Sequence, residues 1–224
     1  LHGQRLSQLT RPAELTAEQG LLITNPPYGE RLGELPELVQ LYAQLGDKAK
    51  ALFPGWTLAV FTGNPDLGHR LGLRAHKQYA LKNGALDAKL LLMTIDSHRT
   101  QDTTDAESPG TEASIAPKGS DNAQMFANRL AKNQKRLKKW LKQSGESCYR
   151  LYDADMPEYA LAVDRYADRV HVQEYAAPRS VDPAQAQKRL FDALEVMPDA
   201  LGVDPGKIHV KRRERQAGSA QYQK

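Results

Sequence analysis

At 224 residues the chain is long enough for one large domain or two small ones. Its single cysteine, Cys148, excludes an internal disulfide framework and fits a reducing, cytoplasmic setting. No apolar run approaches the ~20 residues of a membrane span, no signal peptide is evident, and neither a membrane nor a metal enters the reading. The net charge of +4 is unevenly placed: residues 1–97 are nearly balanced, 98–121 are acidic, and 122–143 hold seven Lys or Arg and no acid.

In chain order, Leu1 to Leu9 read as the end of a strand and a short connection. The start at Leu1, without a methionine and in mid-pattern, suggests a cut-out fragment. Gly20 to Thr24 is a short apolar run that reads as a buried strand. Asn25-Pro26-Pro27-Tyr28-Gly29 follows it. The apolar positions Leu35, Leu38, Val39, Leu41, Tyr42, Leu45, Ala49 and Leu52 predict a helix over 34–53. Pro36 is tolerated near its start, and Pro54-Gly55 stops it. Thr57 to Thr62 is a second buried strand. Asn64-Pro65-Asp66 starts a short helix to about Leu73. His76–Lys82 and Asp87–Ile95 are two strands joined as a hairpin around Asn83-Gly84.

Residues 98–121 are rich in Thr, Ser, Asp, Pro and Gly and predict a flexible linker. From 122 to 143 a helix capped by Asp121 or Ser120 is expected, ending at Gly145. Met125, Phe126, Leu130, Leu137, Trp140 and Leu141 form an apolar stripe, read as core. Three short strands follow, at Cys148–Asp153, Tyr159–Asp164 and Arg169–Tyr175. Asp182-Pro183 opens a helix towards Leu201 that Pro198 is expected to break or kink. Lys207–Arg213 alternates as a further strand, before a polar, basic tail.

The turn at 25–28 carries the chemistry. Each proline pushes its predecessor away from helical geometry. The turn can therefore hold the Asn25 side-chain oxygen and the Pro26 carbonyl as two fixed acceptors for an exocyclic amine, with Tyr28 as a stacking face worth roughly 1–3 kcal/mol. Taken alone, the motif fits a stiff turn as well as an active site. Its place at a strand's C-terminal end, where open α/β sheets bind ligands, favours the site. These residues resemble the signature of S-adenosylmethionine-dependent methyltransferases acting on exocyclic amines of nucleobases. The strand–helix–strand–helix–hairpin order matches the second half of their Rossmann-like sheet, in which the last strand inserts antiparallel between two neighbours.

Three longer stretches make the resemblance specific: Asn25-Pro-Pro-Tyr-Gly-Glu-Arg-Leu32, Met125-Phe-Ala-Asn-Arg-Leu130 with Lys132-Asn-Gln-Lys135, and Cys148-Tyr-Arg-Leu-Tyr-Asp-Ala-Asp155 onward through Pro157-Glu158-Tyr159 and Val163 to Asp168. With Val172 to Tyr175 and Arg213 to Gln216, they resemble the bacterial bifunctional 23S ribosomal RNA guanine-N2/guanine-N7 methyltransferases, the RlmKL fusion family. The resemblance implies that 1–97 is the C-terminal half of the guanine-N2 enzyme and 98–121 a linker. It makes 122–224 a small basic α+β accessory region preceding the N7 enzyme. It implies Asn25, Pro26, Pro27 and Tyr28 as the target-base residues, S-adenosylmethionine as cofactor and 23S rRNA as partner. Asn25 would line the cofactor site, whose Gly-rich motifs are not in this sequence. Near Leu6–Leu9, where members carry an acid at the cofactor's adenine, this chain has Arg5. With only half a sheet, the Gly20–Thr24 strand would leave an edge open to another chain.

For RNA contact the candidates are Arg129, Lys132, Lys135, Arg136, Lys138, Lys139, Lys142, Lys211, Arg213 and Arg215. A solvated helix face is the plainer explanation of such a run. Two other readings stand beside the first: an RNA-binding module without activity of its own, and a DNA adenine-N6 methyltransferase using the same motif on another amine.

Overall fold

The computed structural model describes residues 5–29, 34–96, 121–176 and 181–213. The 98–121 linker, apart from Asp121, and the tail beyond Arg213 lie outside them. The chain divides into two compact units, one holding residues 1–28 and 40–117, the other 29–39 and 118–224.

The first unit is a four-stranded α/β sheet. β1 (Leu21–Thr24), α1 (Leu35–Leu52, in this unit from Gln40 on), β2 (Thr57–Thr62), α2 (Pro65–Gly68), β3 (Ala75–Asn83) and β4 (Leu86–Thr94) follow in order. The strand order is β1-β2-β4-β3. β1 and β2 are parallel, and β4 runs antiparallel to both β2 and β3. That antiparallel insertion of the last strand between two neighbours is the one the resemblance implies. The hairpin turns at Gly84, whose φ of 61° suits glycine. α1 comes so close to the chain at Leu71 that a Cβ on Gly46 would stand 1.9 Å from the Leu71 carbonyl oxygen.

Two expectations change here. β1 is not buried: it is an edge strand with Leu21 58% and Ile23 67% exposed. Among the described residues no strand pairs with its other flank, the open edge that half a sheet implies. Leu6–Gln8 form a 3-10 turn rather than the end of a strand, with residues 1–4 outside the described set. The loop that follows is instead tied by Arg11, which donates to the carbonyls of Leu15, Ala17 and Leu52 and lies 5.6 Å from the centre of the Trp56 ring.

The second unit is α+β. α3 (Asp121–Ser144) is followed by β5 (Cys148–Asp153), β6 (Leu161–Tyr166), β7 (Arg169–Tyr175), α4 (Pro183–Leu201) and β8 (Ile208–Arg213). The sheet order is β5-β6-β7-β8, with β8 parallel to β7. α3 packs on α4 and on β5. Its anchor is Phe126, which stacks on Tyr159 at 4.6 Å and meets Tyr152 edge-on at 5.1 Å. The buried Asn133 side chain donates to the Leu151 carbonyl at 3.0 Å and to Asp155 at 2.7 Å. It thereby pins α3 to the end of β5.

Asp121 is already helical, in the first turn of α3. The apolar stripe of α3 is core only in its first half. Phe126 and Leu130 are fully buried, whereas Met125 and Trp140 are 48% and 47% exposed. In α4, Asp182 caps through the Ala184 amide at 3.1 Å, as expected. Pro198 does not break the helix. It sits in the last turn, and the helix ends on Gly202 at φ 60°, where Val203 donates to the Pro198 carbonyl.

Candidate target-base site

β1 and β2 run in parallel register, Leu21 opposite Thr57 and Thr24 opposite Val60. Their C-terminal ends therefore lie side by side, and two turns leave from the same edge of the sheet. One is Asn25–Gly29, the other Thr62-Gly63-Asn64. In the first, Pro26 is buried, Asn25 and Pro27 are exposed, and Tyr28 is partly buried. Gly29 follows with φ 56°, a left-handed turn that favours glycine.

The second turn is built around a hydroxyl. Thr62 Oγ1 accepts from the Asn64 amide at 3.1 Å and lies 2.9 Å from the Tyr42 hydroxyl. Thr62 and Tyr42 are both fully buried. Burial pushes the Tyr42 phenol pKa up, against the opposing pull of its hydrogen bond to Thr62. The phenol thus stays neutral, and its hydrogen bond with Thr62, in which either hydroxyl can donate, locks the end of β2 to α1.

The two turns meet at Tyr28. A Cβ on Gly63 would stand 2.6 Å from Tyr28 Cε2 and 2.8 Å from Cδ2, so the ring occupies the space that glycine leaves. At its other end the Tyr28 hydroxyl accepts a hydrogen bond from Asn83 Nδ2 at 2.6 Å, at the tip of the hairpin. The ring is fixed at both ends, which limits the entropy lost on stacking a planar partner against it. Sequence reasoning missed Gly63 and Asn83. The signal for Gly63 was a glycine directly after a buried strand; Asn83 was absorbed into its hairpin turn.

The cationic residues fall into two places in the second unit. Lys132, Lys135, Arg136, Lys138, Lys139 and Lys142 are exposed on α3, and Arg129 is partly buried. Lys211 lies exposed on β8, at the opposite edge of the sheet from β5, on which α3 packs. Arg213 ends β8 opposite Tyr175, and Arg215 lies outside the described residues. The cations therefore do not form one cluster. Among the described residues no group of His, Cys, Asp or Glu could hold a metal ion. No helix among them is long and apolar enough to cross a membrane.

Residues 4–91 match the model of the RMKL-like methyltransferase domain. The chain is 65% identical over 230 aligned residues to the ribosomal RNA large subunit methyltransferase K/L of Chromohalobacter salexigens, covering 100% of this chain and 31% of that protein. It is 56% identical over 211 residues to the K/L protein of Ectopseudomonas mendocina, covering 92% and 29%. The chain thus spans about a third of the length of the curated relatives it matches. A solved structure of a possible methylase from Clostridium difficile 630 is 32% identical and covers 41% of this chain and 23% of that one, with a TM-score of 0.36. At 65% identity across its whole length, the chain corresponds to one segment of the ribosomal RNA large subunit methyltransferase K/L proteins, and its residues 4–91 to their RMKL-like methyltransferase domain.

Proposed function

We propose that this chain carries the target-base turn of a 23S rRNA guanine-N2 methyltransferase, together with an RNA-facing accessory unit. The division is 1–97 for the N2 half-domain, 98–121 for a linker and 122–224 for the accessory region. Guanine-N7 transfer would belong to a further domain of the longer relatives. The observation that supports this best is the Tyr28 ring, lodged on Gly63 and held by Asn83 at the C-terminal edge of parallel strands. The extruded guanine stacks on Tyr28. Asn25 and the Pro26 carbonyl accept its two amine hydrogens, which turns the nitrogen lone pair towards the methyl donor. No strong base is needed, because the amine loses its proton after attack.

S-adenosylmethionine supplies the methyl group as an electrophile. The described residues do not make a cradle for it, since a 3-10 turn and loop precede the exposed edge strand β1. Cofactor binding is assigned to the longer protein. The setting is cytoplasmic. A further strand, or a second copy of this chain, would add at the outer edge of β1.

Incubating the longer protein with unmodified 23S rRNA and labelled S-adenosylmethionine is expected to yield N2-methylguanosine. Label entering duplex DNA as N6-methyladenine would replace this reading with the DNA one. The exposed cations of α3 favour a second role, RNA binding by the isolated chain without transfer. That binding should weaken steeply with salt.

A further inference from the structure

The last buried residue of α3 is Asn133. The helix continues to Ser144, so eleven residues run on for about 16 Å with no fully buried side chain, Leu137 and Leu141 being half-buried on the inner side. This overhang carries Lys135, Arg136, Lys138, Lys139 and Lys142 and no acid. It also carries Trp140, 47% exposed, the larger aromatic where a lysine would be the ordinary surface residue. At about 100° per residue, Trp140 points within roughly 20° of Arg129 and 40° of Arg136, with Lys132 and Lys139 further round on that side. It stands at the border between the apolar stripe and a cationic strip.

We propose that Trp140 is a stacking residue that receives an unpaired base of the bound RNA, while the neighbouring cations hold the flanking phosphates. The proposal rests on the RNA-binding reading above. Charge decides the occupant: a face whose charged side chains are all positive suits a polyanion, and indole is a sequence-tolerant platform for a base. An unstacked loop can present such a base, whereas a closed duplex cannot.

The test uses the 224-residue chain, whose tryptophans are Trp56 and Trp140, with Trp56 only 7% exposed. An RNA hairpin with a purine loop and a blunt duplex of equal length are titrated while tryptophan emission is followed. Saturable quenching is expected with the hairpin, absent in Trp140→Phe and weaker with the duplex. Trp140→Ala is expected to weaken hairpin binding by roughly 5- to 150-fold, and Trp140→Phe far less. Salt-sensitive hairpin binding without quenching, and with Trp140→Ala unchanged, would overturn the stacking role and leave the RNA reading standing. No RNA binding at any salt would overturn both. Quenching on concentration alone would assign the face to a second copy of the chain and overturn the proposal.

Discussion

Gly63 and Tyr28 are matched residues: the tyrosine ring fills the volume that any side chain at 63 would occupy, with Cε2 2.6 Å from the position of a Cβ. A methyl group there must displace either the ring or the backbone after β2. Gly63→Ala is expected to cost about 1–3 kcal/mol by overpacking. In the longer protein it should lower guanine-N2 transfer by more than that loss of stability explains. Urea unfolding and transfer rates measured on the same variant check this; an unchanged rate would mean that the ring's position does not matter.

The Asn83–Tyr28 hydrogen bond is exposed, so its own contribution is small. Asn83→Ala and Tyr28→Phe should each destabilise by no more than about 1 kcal/mol. The double variant should show a coupling near 0.5–1 kcal/mol, because both singles break the same bond. Strict additivity in a double-mutant cycle would mean that the bond is not made in solution.

In the second unit, Asn133→Leu keeps the shape but removes the donor to Leu151 and Asp155. A buried carbonyl then loses its partner, at about 1–3 kcal/mol. Because Asn133 is the last buried residue of α3, the helix beyond it should also exchange its amides faster. Hydrogen exchange of residues 134–144 against 123–130 reads this directly.

Burial holds the His171 pKa below its ordinary 6.5; Lys211 and His209 push the same way and Asp164 opposes them. Between the folded value and 6.5 the unfolded chain therefore binds more protons. Stability is complete above about pH 6.5 and falls as the pH drops through that window. Asp153 is held low first by its Tyr175 hydrogen bond, and acts only below its ordinary 3.8, outside the window. The urea midpoint should decline from pH 7 to pH 5, and His171→Gln should flatten the decline. A midpoint that rises on acidification would contradict this.

Much of the first unit is legible in the residues themselves. Apolar runs fix β2 and α1, Asn83-Gly84 marks the hairpin, and Asn25–Tyr28 stands out because two prolines and an aromatic follow a strand. What the residues do not carry is adjacency. Gly63 and Asn83 reach Tyr28 only through strand pairing, across 35 and 55 positions. Periodicity likewise marks the stripe of α3 but not where its partner stops, so Trp140 reads as core until the end of the packing surface is seen. Pro198 misleads for a local reason: a proline one turn from a helix end removes a hydrogen bond without ending the helix.

The central claim, that Asn25–Tyr28 is the target-base turn for guanine N2, is tested most directly by Asn25→Ala in the longer protein. Both methylated guanines of 23S rRNA are then quantified by nucleoside mass spectrometry. N2-methylguanosine is expected to disappear while N7-methylguanosine persists. N2 methylation at the unaltered level would contradict the assignment.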